Sequence, residues 1–314
     1  MLAEVTRSGV VESRHLGAIV AVRPDGSVAI GFGDLERPVF PRSSNKPLQA
    51  VGLLGCGWQP ADPTQLAIAA ASHSGEPGHV EVVRRLLGDL GEDALACPAQ
   101  LPLDEATAQA LLAAGGGPTR VHMNCSGKHA AMLATCVERG WPTAGYLASD
   151  HPLQVGLTAA VERLAGERVR HIAVDGCGAP AHALTLPGLA RAFARLVTAP
   201  TGSDERRTAD AVRTHPGLVG GTGRDVTLLM EGIPGLLAKD GAEGVYAAAL
   251  ADGSAVAIKI DDGAARARGP VLVAALRALG AAGPVLDALE VGTVLGGGRT
   301  VGEVRVAGPL AAVC

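Results

Sequence analysis

Aromatic side chains are scarce in this sequence of 314 residues, of which only 2% are Phe, Tyr or Trp. Few rings are therefore available to stack against bases or sugars. The formal net charge is −4 and no basic block occurs, which argues against a nucleic acid or an anionic membrane as partner. No stretch approaches the roughly 20 apolar residues that span a bilayer. What the sequence has instead is 43 glycines and 47% hydrophobic residues, which indicate a closely packed core of small side chains.

Export signals and paired cysteines are also lacking. The first 15 residues carry charges throughout and contain no apolar signal core. No two cysteines are spaced Cys-x-x-Cys, which excludes a self-sufficient zinc knuckle. Without an export signal, reduced thiols or metal ligands are expected rather than disulfides, and we expect a cytoplasmic protein. The cysteines are Cys56, Cys97, Cys125, Cys136, Cys177 and Cys314.

Periodicity predicts strands at both ends of the chain and helices between them. A hairpin is expected over residues 17–33 around Pro24-Asp25-Gly26, a meander over 236–260 and a final edge strand in VGEVRVA. The predicted class is α+β, with an antiparallel sheet formed by the N- and C-terminal segments, flanked by helices, and a helical middle part. We expect one unit over 1–314, with a sheet part at about 1–60 and 225–314 and a helical part at about 61–224. Helices are expected near 44–54, 63–71 (opened by Asp62), 79–90, 104–114, 128–139, 153–165 (entered through Asp150), 189–197 and 264–279, and a strand over 169–175.

The stretch PRSSNKPLQA, residues 41–50, allows two interpretations. One is a helix start, with Ser43 or Ser44 as the cap and Pro47 in the first turn, where its missing N–H costs nothing. The other is a Ser-x-x-Lys motif, in which the hydroxyl of Ser43 meets the amine of Lys46 and gives it a proton. This stretch alone does not decide between them.

Three further polar clusters lie in bends marked by Gly or Pro. Residues 72–76 (SHSGE) follow the alanine-rich run AIAAA, so their polar groups need either solvent or hydrogen-bond partners. Residues 124–129 (NCSGKH) and 175–180 (DGCGAP) each place a cysteine in a glycine loop, as a buried thiol or a ligand. Lys259, in the strand AIKI, faces solvent or, if it points inward, is paired or neutral, and a neutral amine is a base.

Taken together and in this order, the motifs resemble the L-asparaginases of the rhizobial, thermolabile type, the asparaginase II family. This family is unrelated to the amidases with threonine nucleophiles. The resemblance implies a fold of the serine β-lactamase and glutaminase superfamily. The motifs that carry it are RSSNKPLQ, SHSGEP, NCSGKHA, DGCGAP, HPGLVGGTGRDVTLLM, KDGAEGVYA and VGEVR.

The resemblance also implies how the site is built. Two Ser–Lys pairs are expected, Ser43 with Lys46 and Ser74 with Lys259, and Ser72 is an alternative to Ser74. Which serine attacks is left open, because both pairs satisfy the same chemistry.

A zinc ion is implied as well, held by Cys125, Lys128 and Cys177 with water as a fourth ligand. The i, i+3 spacing of Cys125 and Lys128 places both on one side of a helical turn. Lysine is an unusual ligand, because the metal needs the neutral amine.

Three more residues are implied to contact substrate: Arg42, Asp175 and Glu76. Asp175 suits the substrate ammonium, and Arg42 suits its carboxylate or holds the loop. The expected activity is hydrolysis of L-asparagine to L-aspartate and ammonia by a homodimer. Alternatives are a β-lactamase-like acylase or peptidase, or a non-catalytic asparagine-binding module. The strand expected to read Lys-Thr-Gly in penicillin-recognising enzymes reads IKI here, which favours a linear amide.

Overall fold

The computed structural model describes residues 1–313 and divides into two compact units, so Cys314 lies outside the described residues. The sheet unit comprises residues 1–44, 183–198 and 228–313, and the helical unit comprises 45–182 and 199–227. The strands are β1 (Ala3–Arg7), β2 (Val10–His15), β3 (Gly17–Val22), β4 (Val28–Phe32), β5 (Ile172–Val174), β6 (Pro180–His182), β7 (Leu237–Asp240), β8 (Val245–Ala249), β9 (Ala255–Ile260), β10 (Gly292–Gly296) and β11 (Arg299–Val306).

The helices follow the predicted series and add several that the sequence pattern missed. They are α1 (Lys46–Gly55), α2 (Pro63–Ala69), α3 (Pro77–Leu87), α4 (Glu105–Ala113), α5 (Ser126–Arg139), α6 (Pro152–Ala165), α7 (Leu186–Thr198), α8 (Asp204–Thr214), α9 (Pro216–Val219), α10 (Asp225–Gly232), α11 (Arg268–Ala278) and α12 (Pro284–Leu289). None of these helices is both long enough and apolar enough to cross a membrane.

Two antiparallel sheets make up the sheet unit, in the strand orders β10-β11-β1-β2 and β4-β3-β9-β8-β7. The predicted hairpin is confirmed as β3–β4, where Gly26 has φ +83° and the Asp25 carboxylate accepts the amide of Ser27 at 2.8 Å. The meander is confirmed as β7–β8–β9. The terminal segments do share a sheet, since β1 pairs with β11. VGEVRVA is not an edge strand, however, because β10 covers the other side of β11. The α+β class is confirmed.

The helical unit is organised around α1, whose residues from Lys46 to Leu54 are all buried. Helices α5, α6 and α8 contact it. At Gly52 a Cβ atom would lie 2.8 Å from a methyl carbon of Leu157 on α6 and 3.2 Å from its Cα atom, so a larger residue would force the crossing of the two helices to adjust. Helix α1 therefore belongs with the helices, although we expected it in the sheet part. Helix α7, expected in the helical part, packs instead on β3, β8 and β9.

The N-terminal caps predicted for two helices can be compared with the structure. The Asp62 carboxylate accepts the amides of Thr64 and Gln65, which confirms it as the cap of α2. Helix α6 is capped by His151, whose ring accepts the Leu153 amide, and not by Asp150. Helix α4 stands apart from the rest, because none of its residues is buried.

Candidate active site

The Ser43 segment lies in the sheet unit, in a 3₁₀ turn over Arg42–Asn45 that leads directly into α1. Arg42 has φ +53°, a left-handed conformation that is uncommon for a residue other than glycine. The buried hydroxyl of Ser44 donates to the carbonyl oxygen of Lys239 at 2.8 Å. Asn45 holds the cap position of α1 without a side-chain cap bond, so neither serine caps the helix. Pro47 does occupy the first turn, as predicted.

Sequence reasoning gave no role to Lys239, which the structure places beside this segment. Its side chain is fully buried and forms an ion pair with the carboxylate of Asp240. At Gly241 a Cβ atom would lie 2.5 Å from the carbonyl oxygen of Pro41, so the end of β7 runs tightly against residues 41–44. The available signal was the Lys-Asp-Gly at the start of KDGAEGVYA, where a charged pair interrupts a strand of small apolar residues.

A cavity of about 350 Å³ opens beside Arg42 in the same unit. The amine of Lys259 lines it and donates to the carbonyl oxygens of Glu243 and Ile260. Burial lowers the pKa of this amine, which favours its neutral form. The cavity is lined by both positively and negatively charged side chains, and it is large enough for an amino acid. Its lining consists of Arg37, Pro38, Val39, Phe40, Arg42, Glu243, Lys259 and Asp261.

A buried amine next to a serine hydroxyl occurs in the helical unit. Lys46 is 1% exposed, and its Nζ donates to the carbonyl oxygen of Ala71 at 2.5 Å and to the hydroxyl of Ser72 at 2.9 Å. This hydrogen bond joins the motifs RSSNKPLQ and SHSGEP, because Lys46 and Ser72 lie 26 residues apart in the chain. Ser43 belongs to the sheet unit and Lys46 to the helical unit. The expected pairing of these two therefore stays a prediction.

The loop SHSGE finds protein partners instead of solvent. Ser74 is buried, and its hydroxyl donates to the carbonyl oxygen of Gly220 at 2.9 Å. The Glu76 carboxylate accepts both the amide and the hydroxyl of Thr222 at 2.8 Å. At Gly221 a Cβ atom would lie 2.0 Å from the Ser74 hydroxyl oxygen, so only glycine fits. Residues 216–225 of the longest motif thus hold this loop, while the pairing of Ser74 with Lys259 of the sheet unit stays a prediction.

Two thiols and one amine converge in a buried group that we call the thiol–amine cluster: Cys125, Lys128 and Cys177. The Lys128 Nζ lies 3.2 Å from the Cys177 sulfur. A hydrogen bond from Cys177 holds the pKa of Cys125 well below its usual value, and the same bond raises the pKa of Cys177. Asp175 borders the cluster, with a carboxylate oxygen 3.7 Å from the Cys177 sulfur.

The thiol–amine cluster fits a zinc ion by the chemistry of its donors. No three His, Cys, Asp or Glu side chains within residues 1–313 are grouped to hold a metal, so a metal at this cluster would need the lysine as its third ligand. Sulfur and nitrogen are the donors that zinc prefers, and three protein ligands leave one position open. Burial works to lower the pKa of Lys128, but the neighbouring Cys177, Cys125 and Asp175 raise it overall. A metal would therefore replace a proton on this amine.

The chain matches one known family over most of its length. A family model described as L-asparaginase II matches residues 3–306. Among solved structures, the chain is similar to a β-lactamase from Mycobacterium bovis, with 18% identity and a TM-score of 0.42. The match covers 79% of this chain and 88% of the β-lactamase. No curated protein matches the chain significantly.

Proposed function

Because the chain belongs to the L-asparaginase II family, we propose that it is an amidohydrolase that converts L-asparagine to L-aspartate and ammonia. The observation that carries this proposal is the buried amine of Lys46, which already donates to one serine hydroxyl, that of Ser72, and lies three residues after Ser43 in the chain. Binding alone does not require a hydroxyl beside an amine that can take its proton, whereas acyl transfer to serine does. The scarcity of aromatic side chains in the sequence agrees with a small polar substrate.

In this mechanism the Ser43 oxygen attacks the side-chain amide carbon of asparagine and gives its proton to Lys46. Backbone amides at the start of α1 stabilise the developing oxyanion. The carbon–nitrogen bond then breaks as the proton on Lys46 passes, through the neutral amine of Lys259 and the hydroxyl of Ser74, to the departing ammonia. Water then attacks the acyl carbon and gives its proton, by way of Lys46, to the Ser43 oxygen, which releases L-aspartate and regenerates Ser43. The lowered pKa of Lys259 suits a group that accepts and returns a proton.

Substrate recognition requires a partner for each charge of the amino acid. We assign the α-carboxylate to Arg42, which borders the cavity of about 350 Å³. Asp175 in the helical unit is assigned to the α-ammonium. Glu76, fixed by its two bonds to Thr222, is the further candidate contact.

The thiol–amine cluster is proposed to hold zinc through Cys125, Lys128 and Cys177. The metal would supply a fixed positive charge that ties the NCSGK loop to the DGCGAP loop. Serine chemistry does not need zinc to generate hydroxide. Asp175 borders the thiol–amine cluster. Loss of the cluster should therefore displace Asp175, the proposed contact of the substrate ammonium.

Changing Cys177 to Ser is expected to raise KM at least about tenfold while kcat falls by less. Lost positioning weakens binding in the ground state and the transition state alike. Elemental analysis of the untagged protein should find about one zinc per chain in the wild type and a reduced content in this variant. Cys136→Ser, which changes another buried thiol of the same unit, is the matched control. A collapse of kcat with unchanged KM would mean that the metal takes part in the chemistry.

One assay separates the proposed function from its alternatives. Ammonia release is measured on L-asparagine and L-glutamine, beside a chromogenic β-lactam. We expect release from asparagine and no lactam opening. Lactam hydrolysis alone would indicate an acylase of the β-lactamase kind, and binding of asparagine without ammonia release would indicate a non-catalytic module. We also propose a homodimer in the cytoplasm, where the five described cysteines would stay reduced.

A further inference from the structure

A buried tyrosine–histidine pair in the helical unit has no role in the proposed catalytic steps. Tyr146 is 2% exposed, although tyrosine occurs only twice in the sequence, and His129 is fully buried. The two rings meet edge to face, with their centroids 5.8 Å apart, and the Tyr146 hydroxyl lies 2.6 Å from Nδ1 of His129. Buried polar groups are almost always hydrogen-bonded, so each remaining donor of this pair should have an acceptor.

The hydrogen bonds of Tyr146 fix the position of the proton on the His129 ring. The amide of Ala96 donates to the Tyr146 hydroxyl oxygen at 3.1 Å. Within residues 1–313 the other partner of this hydroxyl is Nδ1 of His129, so the phenol proton points to Nδ1. Burial raises the pKa of Tyr146, which keeps that proton on the phenol. A fully buried imidazole is neutral and has one N–H group, so the ring proton is on Nε2.

His129 also interacts with the thiol–amine cluster. Its Nε2 atom is buried, and no oxygen or nitrogen atom within residues 1–313 accepts the proton there. The side chain that interacts with the ring through a hydrogen bond is Cys177, whose sulfur also lies 3.2 Å from the Lys128 amine. His129 belongs to the first turn of α5, and its amide donates to the carbonyl oxygen of Cys125 at 3.1 Å. The helix therefore holds the ring beside the cluster.

We propose that Nε2–H of His129 donates a hydrogen bond to the Cys177 sulfur, and that the Tyr146 hydroxyl keeps the ring in the tautomer and orientation that this bond requires. Tyr146 and His129 are then positioning residues for the metal site. The inference rests on the proposed binding of zinc by Cys125, Lys128 and Cys177. A donor beside a ligating sulfur fixes its direction and stabilises its negative charge. Outer hydrogen bonds of this kind commonly change metal affinity by about 10- to 100-fold.

Direct ligation of the metal by His129 is the alternative, and the geometry argues against it. Nε2 could bind zinc only if the ring proton moved to Nδ1, because the metal needs the lone pair of Nε2. The Tyr146 hydroxyl would then accept a second hydrogen bond, and its own proton would lose its acceptor. Among residues 1–313, moreover, no three His, Cys, Asp or Glu side chains are grouped to hold a metal, so His129 does not join the two cysteines as a ligand.

Competition for zinc between the full chain and a chromophoric chelator tests the effect on affinity. Tyr146→Phe keeps the buried ring and removes only the hydroxyl, so its zinc affinity should fall about tenfold. His129→Leu, which removes the donor, should lose about 10- to 100-fold. His129→Gln, whose side-chain amide can donate from near the place of Nε2, should recover part of that loss. Tyr246→Phe, at the other tyrosine and equally buried in the sheet unit, is the matched control and should bind zinc like the wild type.

The outcomes of this competition are separable. Unchanged zinc affinity in Tyr146→Phe overturns the proposal, and so does a loss in His129→Gln as large as that in His129→Leu. A wild type that binds no zinc overturns it as well, while ammonia release from asparagine would still show hydrolysis. Circular dichroism shows whether each variant is folded, and if His129→Leu is not, the comparison of Tyr146→Phe with Tyr246→Phe decides.

The tautomer of His129 provides a second measurement, which needs no metal. Long-range ¹H–¹⁵N NMR spectra of the metal-free full chain, labelled in its histidine rings, distinguish a proton on Nε2 from one on Nδ1, and His129→Gln identifies the signals. We expect the wild-type ring to carry its proton on Nε2 and the ring in Tyr146→Phe to show both tautomers. A proton on Nδ1 in the wild type, or an unchanged tautomer in Tyr146→Phe, contradicts the proposal. Neither measurement uses asparagine, so the positioning pair can fail while the proposed activity holds, and the reverse.

Discussion

Changing Ser43 to Ala is expected to lower kcat at least about 1000-fold, because the variant lacks the hydroxyl that would form the acyl-enzyme. Ser43 caps no helix and is only half-buried, so the free energy of unfolding should change by less than about 1 kcal/mol. Ammonia release under saturating asparagine measures the first effect, and urea denaturation measures the second.

Ser44→Ala is the matched control for this change. It removes the hydrogen bond to the Lys239 carbonyl, at a cost of about 1 kcal/mol, and should retain most of the turnover. If Ser43→Ala keeps more than about a tenth of the wild-type kcat, Ser43 is not the nucleophile. Ser74 would then be the better candidate, and Ser72, bonded to Lys46, the next.

Lys259→Met is expected to lower kcat/KM about 100-fold or more, because the variant loses a proposed proton acceptor. The amine acts as a base only when neutral, so activity should rise with pH through its pKa. Burial lowers that pKa from its ordinary value, which moves the rising limb toward neutral pH. The variant should lose this limb. Its pH–rate profile is the measurement, and an unchanged profile would leave Lys259 a wall of the cavity.

The matched control is Lys239→Met, since both lysines lie on strands of the same sheet. Lys239 is fully buried and paired with Asp240, so its loss leaves a carboxylate buried without this partner. We expect about 3 kcal/mol of lost stability from this change. Lys259→Met should be far milder, because its side chain is half-buried and its amine bonds to two backbone carbonyls. Equal destabilisation of the two variants would indicate a structural role for both lysines.

Local rules predicted those parts of the fold that local interactions decide. The turn at Asp25-Gly26 and the cap at Asp62 depend on atoms two or three residues apart, and the sequence displays both directly. The edge position assigned to VGEVRVA failed because strand neighbours are set by distant chain segments. Nothing within residues 301–307 indicates that β10 adds to their far side.

The same distinction applies to the candidate site. The motifs identified the polar loops, but their partners lie far along the chain: Ser72 is 26 residues from Lys46, and Gly220 is 146 residues from Ser74. A helix-start rule offered Ser43 or Ser44 as the cap of α1, yet the Ser44 hydroxyl bonds to a strand residue 195 positions away in the chain. Lys239 was missed because lysine side chains are rarely buried and the sequence does not show that this one is. Its burial becomes clear only when the structure shows the equally buried carboxylate of Asp240 beside it.

Helix α4 has a consequence for how the helical unit opens. With nine residues and none of them buried, it is shorter than an isolated helix needs to persist in water. Its amide hydrogens should therefore exchange with solvent far sooner than those of α1 or α5, by local fraying that leaves the rest folded. The Asp104 amide, just before α4, donates to the carbonyl oxygen of Ser74 at 2.9 Å. The loop that carries Ser74 is thus hydrogen-bonded to the residue next to the helix that frays most readily. A protease cut within residues 105–117 should therefore loosen this loop while the rest of the helical unit stays folded.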